Sequence, residues 1–185
     1  MKIGLTGSIS VGKTSLVKEL SKLDKFKDYK IFTERSKYLR DLGIPLNTES
    51  TLEGQLIFKA ERASELLHPK MITDRSIIDV MAFTQLSEEI NFLQKKDFKN
   101  LALHLIPKYD LIFYIPTDGV ELEDNNIRST DEEYRKKLDV EIKDLMRWYN
   151  HMNKNMFYLK GNLSLEERVD YIKEVIDEQK TRSNI

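Results

Sequence analysis

The sequence contains no cysteine, which excludes disulfides, thiolate metal sites and cysteine nucleophiles. Histidine is scarce: His68, His104 and His151 stand far apart, and no histidine metal cluster is expected of them. An excess of either charge is missing as well. Thirty basic residues face 31 acidic ones, so there is no global attraction to nucleic acid or to an acidic membrane surface, although a local basic cleft is compatible with that balance. Long apolar runs are absent, and a stretch such as Leu111–Ile115 is far too short to span a bilayer. The opening MKIGLTG closes on a glycine and lacks the apolar run of a signal peptide. A cytoplasmic location without membrane attachment is expected. What is present, 40% apolar and 33% charged residues in a chain of 185, suffices for a buried core and suggests a single domain over 1–185.

Strand-like and helix-like segments alternate along the chain. Strands are expected at 2–6, 29–33, 70–73, 109–115 and 156–159, and helices at about 13–22, 34–42, 50–67, 76–87, 90–106, after Thr130, and after Ser164. Ser50/Glu53, Thr130/Glu133 and Ser164/Glu167 have capping-box spacing. Leu52, Leu56, Ala60, Ala63 and Leu67 predict one buried stripe on the long helix, and Tyr134, Leu138, Ile142, Leu145 and Tyr149 another. The polar segment 116–135 reads as a short lid. Five short strands separated by helices imply an open α/β fold of three layers: a five-stranded parallel sheet with helices on both faces. Ligands of such sheets sit at the carboxyl ends of the strands, where each motif below falls.

Gly7-Ser8-Ile9-Ser10-Val11-Gly12-Lys13-Thr14 matches G-x-x-x-x-G-K-[ST] at every fixed position, between an apolar strand and a helix. In this P-loop pattern glycines let the backbone curl until successive N–H groups face phosphate oxygens, and the helix adds its positive end. Lys13 would reach the β- and γ-phosphates, Thr14 would ligate Mg²⁺, and Ser15 completes the nucleotide-binding group in the first helical turn. A GTPase would need N-K-x-D, and Asn153-Lys154-Asn155-Met156 lacks the aspartate. A mechanical ATPase would carry an acidic pair at a second apolar strand and a helical lid domain, and neither is visible. A small phosphotransferase remains.

Such an enzyme needs a base for its acceptor, support for the metal, and cations for the transferred group. Glu34, directly after the second strand, would face the cleft and accept a hydroxyl proton. Asp74-Arg75-Ser76 closes a strand expected beside the first, so Asp74 would support Mg²⁺ and Arg75 would reach phosphoryl oxygens. Arg128 and Arg135, in and after the polar segment, would clamp phosphates from the lid. Gln55 and Arg62, seven residues apart on the long helix, would share one rim and pair with the edge of a nucleobase.

Taken together, GSISVGKT, TERSKYLRDLG, TDRSIIDVMAF, YDLIFYIP, NNIRSTDEEYRKKLD and FYLKGNLSLEERV resemble the nucleoside- and nucleotide-kinase branch of P-loop proteins. The look is closest to the NadR-like group, which includes nicotinamide riboside kinase domains, and extends to deoxynucleoside and thymidylate kinases. The resemblance implies ATP with Mg²⁺ and phosphorylation of a nucleoside or nucleoside monophosphate. It makes Glu34 the base, Asp74-Arg75-Ser76 the acidic-Arg-Ser element, Gln55 and Arg62 the base readers, and Arg128 the lid arginine. The expected partner is a small nucleoside-like molecule, with a homodimer as a further arrangement. Two alternatives stand beside this: a kinase of modified bases in DNA, and a nucleotide-binding regulatory module without catalysis.

Overall fold

The computed structural model describes residues 1–118, 132–153 and 155–183. Strands β1 (Lys2–Thr6), β2 (Lys30–Phe32), β3 (Met71–Thr73), β4 (Leu111–Tyr114) and β5 (Met156–Tyr158) form one sheet in the order β2-β3-β1-β4-β5. Every pairing is parallel. Gly4 lies opposite Thr73, and Thr6 opposite Tyr114, so β1, β3 and β4 end along one edge. The consecutive strands β3 and β4 lie on opposite sides of β1, which opens the crevice where α/β sheets take their ligands. The expected adjacency of the first and third strands is present.

Alternation along the strands divides the core into two. Ile3, Leu5, Ile72, Leu111 and Phe113 pack against α1 (Lys13–Ser21) and α7 (Leu165–Ser183). Met71, Ile112, Tyr114 and Met156 face the other layer, built from α3 (Leu52–Glu65), α4 (Ile77–Leu86), α5 (Phe92–Leu103) and α6 (Glu132–Asn153). Helix α4 is apolar nearly all round because α3, α5 and α6 surround it. A short helix, α2 (Ser36–Asp41), follows β2. The stripe expected on α6 is buried along its length. Helix α7 begins with the expected reciprocal cap: the Ser164 amide donates to Glu167 Oε2 at 2.7 Å, and the Glu167 amide to Ser164 Oγ at 3.2 Å. Thr130 and most of the expected lid, 119–131, lie outside the described residues.

Helix α3 differs from its reading in two respects. Its cap is Thr51, whose side chain accepts from the Gly54 amide at 3.3 Å. Ser50 is buried instead, and its carbonyl accepts from Ser87 Oγ at 2.6 Å. The aliphatic stripe also faces outward, with Leu56 39% and Leu67 83% exposed. The buried face is Gly54, Gln55, Phe58, Arg62 and Glu65. Periodicity marks a face by its apolar residues, and here polar side chains turn inward because they find partners. Arg62, 1% exposed, is ion-paired with Glu65. Its Nη1 donates to the Arg75 carbonyl at 3.2 Å. Burial raises the Glu65 pKa against the opposing pull of Arg62.

Removing one partner of a buried ion pair strands the other's charge. Arg62→Ala should therefore lower the unfolding free energy in urea by about 3–5 kcal/mol, and replacing Arg62 by Met together with Glu65 by Leu should recover most of that loss. A single-variant loss below about 1 kcal/mol, the ordinary surface range, would contradict the pairing.

Candidate active site

The phosphate loop is built where β1 runs out. Gly7 takes φ 149°, and a Cβ there would sit 2.5 Å from the Ile115 carbonyl oxygen, so no side chain fits. Gly12 caps α1 in the left-handed region at φ 84° and offers no side-chain acceptor, leaving the first-turn amides for a ligand. Ser10 is also left-handed, at φ 57°. The variable positions anchor the loop: Ile9 enters one core and Val11 the other. Ser8 Oγ donates to the Arg135 carbonyl at 2.8 Å. Ser15 is exposed in the first turn of α1.

Lys13 is buried and folded back on the loop, its ammonium donating to the Gly7 and Ser8 carbonyls at 2.6 Å each. Burial, helped by the nearby Arg75 cation, lowers its pKa to about 8; Asp79, Glu34 and Asp74 oppose the shift. Thr14 Oγ1 donates to Asp74 Oδ2 at 2.8 Å, while Asp74 Oδ1 is buried without a hydrogen-bond partner. Burial raises the Asp74 pKa. Among the described residues no cluster of three acids or histidines forms a self-sufficient metal site. A hydroxyl beside a carboxylate with a spare oxygen nevertheless fits Mg²⁺, which keeps waters and takes nucleotide oxygens as its other ligands.

Glu34 and Arg75 meet across the crevice, Oε2 to Nη2 at 2.9 Å. The Arg75 guanidinium also lies 4.8 Å from the Phe83 ring centre and 3.9 Å from Asp79 Oδ1. Burial alone would lower its pKa, but Glu34 and then Asp79 raise it further, so the group stays charged. This pair borders a cavity of about 490 Å³ including its mouth. Ser36, Asn47 and Gln55 add polar groups to the wall; Ile9, Leu46, Phe58, Val80 and Phe83 form its apolar part. Gln55 is 2% exposed and its Oε1 has no hydrogen-bond partner.

Lys13, Thr14, Glu34, Asp74, Arg75 and Gln55 thus converge on one crevice. Arg62 stands behind the cavity wall, bonded to Glu65 and to the Arg75 backbone, rather than on a common rim with Gln55. Arg135 is buried beside the loop, with Nη2 3.5 Å from the Thr117 carbonyl. Arg128 lies outside the described residues. Sequence reasoning missed two groups. Asp79 accepts from the Gly7 amide at 3.2 Å; its signal was the Ser76-x-x-Asp79 capping spacing. Arg168 reaches from α7 to donate from Nη1 to the Val11 carbonyl at 2.8 Å and from Nε to Leu163 at 3.0 Å. No local pattern announces that contact.

Fold and loop together define a P-loop nucleotide-binding protein of the three-layer α/β type. Residues 2–168 match the AAA domain family, and the chain belongs to that family. The strand beside β1 ends in Asp74-Arg75, one acid followed by a base, rather than in the acidic pair expected of a mechanical ATPase. Among solved structures, deoxyadenosine kinase from M. mycoides with bound dCTP is similar at TM-score 0.69 and 17% identity, over 96% of this chain and 100% of that one. A NadR protein in complex with NR is similar at TM-score 0.73 and 18% identity, over 93% of this chain and 50% of that one. Thymidylate kinase from Candida albicans follows at TM-score 0.66 and 18% identity, over 96% and 91%. No curated protein sequence matches the chain. Among the described residues no helix is long and apolar enough to cross a membrane.

The lowered Lys13 pKa makes a pH prediction. A polyphosphate favours the charged amine, so binding above pH 8 must take up a proton. The affinity for AMP-PNP should be level below pH 7.5 and fall as the pH rises through about 8. Calorimetry in buffers of different ionisation enthalpy should show proton uptake at pH 8.5 and little at pH 7; an affinity unchanged up to pH 9.5 would contradict the assignment.

Proposed function

We propose that the chain is an ATP-dependent phosphotransferase that phosphorylates a hydroxyl of a nucleoside-like acceptor. The observation that supports this best is the shared crevice: Ile9 of the phosphate loop, Glu34 and Arg75 border one cavity. A triphosphate on the loop and an acceptor in that cavity would meet at Glu34. Apolar side chains suit a flat ring, and Gln55 Oε1 needs an N–H donor from that ring. Arg75 is the one cation on the described cavity wall and is already bonded to Glu34. An acceptor that brings no phosphate of its own therefore fits better than a monophosphate.

In this reading the loop amides and Lys13 hold the triphosphate, with Lys13 exchanging its two carbonyl partners for phosphate oxygens. The acceptor hydroxyl oxygen bonds to the γ-phosphorus, the bond from that phosphorus to the β–γ bridging oxygen breaks, and ADP leaves. Glu34 takes the hydroxyl proton. Arg75 stabilises charge on the moving phosphoryl group, and Arg135 adds positive charge near the loop. Thr14 and Asp74 are the residues that would hold Mg²⁺, which when bound neutralises β- and γ-phosphate charge. Arg62 acts from behind by fixing the Arg75 backbone. The DNA-directed alternative draws on α2, which follows the cavity-lining Glu34 and carries Lys37 and Arg40, with the Arg35 guanidinium 4.4 Å over the Tyr38 ring centre.

Labelled ATP tested against nucleosides, monophosphates and modified oligonucleotides separates these readings. Glu34→Gln should keep AMP-PNP affinity while slowing transfer by about 10²–10⁴-fold. Transfer at the wild-type rate would remove Glu34 as the base. Salt-sensitive labelling confined to oligonucleotides would favour the DNA-directed reading. Nucleotide binding without labelling of any acceptor would favour the regulatory module.

A further inference from the structure

Asp79 has no role in the reading above, yet it is fully buried at the centre of the site. It stands in the first turn of α4, and its two oxygens serve different elements. Oδ2 accepts from the Ser76 amide at 3.0 Å and from Ser76 Oγ at 3.2 Å. That is the ordinary capping of a helix start. Oδ1 faces away from the helix. It accepts from the Gly7 amide at 3.2 Å and lies 3.9 Å from Arg75 Nη1. Gly7 opens the phosphate loop, and Arg75 belongs to the acceptor wall. One carboxylate therefore touches both halves of the crevice.

Capping alone does not require an aspartate here. A glutamine or asparagine also supplies one acceptor oxygen to a helix-start amide. Two buried N–H donors, on Gly7 and Ser76, approach this side chain from different elements, and a carboxylate meets both. An amide in its place would aim its NH₂ at one of them, leaving that donor unsatisfied in the interior. The negative charge also matters. With it, Arg75 lies between Glu34 and Asp79; without it, the guanidinium keeps only the Glu34 ion pair and the field of Asp74.

We propose that Asp79 is a positioning residue that ties the first amide of the phosphate loop to the acceptor-side arginine, so that both halves of the crevice hold their geometry together. Its action on phosphoryl transfer rests on the kinase reading above; its action on the loop does not.

The experiment is Asp79→Asn in the full chain, read first without any acceptor. AMP-PNP binding with Mg²⁺ should weaken about tenfold, and the Gly7 amide should lose hydrogen-exchange protection by a similar factor. Asn91→Ala, which removes the cap of α5 away from the crevice, serves as the capping control: it should lower the thermal midpoint and leave AMP-PNP affinity unchanged. Wild-type affinity and Gly7 protection in Asp79→Asn would reduce Asp79 to a helix cap and overturn the proposal, as would an equal affinity loss in Asn91→Ala. Should Asp79→Asn fail to fold, Asp79→Glu keeps the charge but moves the oxygens by a methylene. Weaker AMP-PNP binding with faster Gly7 exchange is then expected, and wild-type values for both overturn the proposal. With an acceptor in hand, Asp79→Asn should lower kcat about tenfold or more while acceptor KM changes little; an effect confined to KM would contradict coupling to the transfer step. Failure of the wild-type protein to label any acceptor would count against the kinase reading alone, since binding and exchange decide Asp79 separately.

Discussion

A buried ammonium held by two carbonyls of its own loop is the contact on which the crevice depends. Lys13 is buried, and the loop turns its Gly7 and Ser8 carbonyls inward to within 2.6 Å of the ammonium. That bend needs a residue without a side chain at Gly7. It also needs fixed points on both sides of the sheet, which Ile9, Val11, Arg168 and Asp79 provide. A polyanion entering the loop offers the ammonium better partners than neutral carbonyls.

Around that cation the charges are arranged in order. Glu34 and Arg75 pair at the crevice, Asp74 pairs with the Thr14 hydroxyl, and Asp79 backs the loop. Glu34 follows β2, Asp74, Arg75 and Asp79 follow β3, and Thr14 follows β1, so the parallel order β2-β3-β1 is what assembles them. The solved structures of similar shape include a deoxyadenosine kinase, a thymidylate kinase and a NadR protein. A shared frame does not by itself assign a function, which has to be read from the residues of the crevice.

The sequence made the fold and the phosphate loop legible because both rest on local patterns. The phosphate loop is contiguous, the strands are short apolar runs, and Ser164 with Glu167 forms the cap that its spacing announced. The rest of the crevice was only partly legible. Glu34 and Asp74-Arg75 stood at strand ends and could be placed by the expected strand order. Helix α3 misled because its inward face carries Gln55, Arg62 and Glu65, whose burial depends on partners from elsewhere in the fold. Arg168 meets Val11 across 157 residues, a contact no window along the chain can show. Asp79 had a local signal, but that signal spoke of helix capping and not of the Gly7 amide.

The most direct test of the central contact is a crystal structure with AMP-PNP and Mg²⁺. The triphosphate is expected along Gly7–Thr14, with the Lys13 ammonium moved off the Gly7 and Ser8 carbonyls onto phosphate oxygens. A nucleotide seated elsewhere, or a Lys13 that keeps both carbonyls while the loop is occupied, would contradict it.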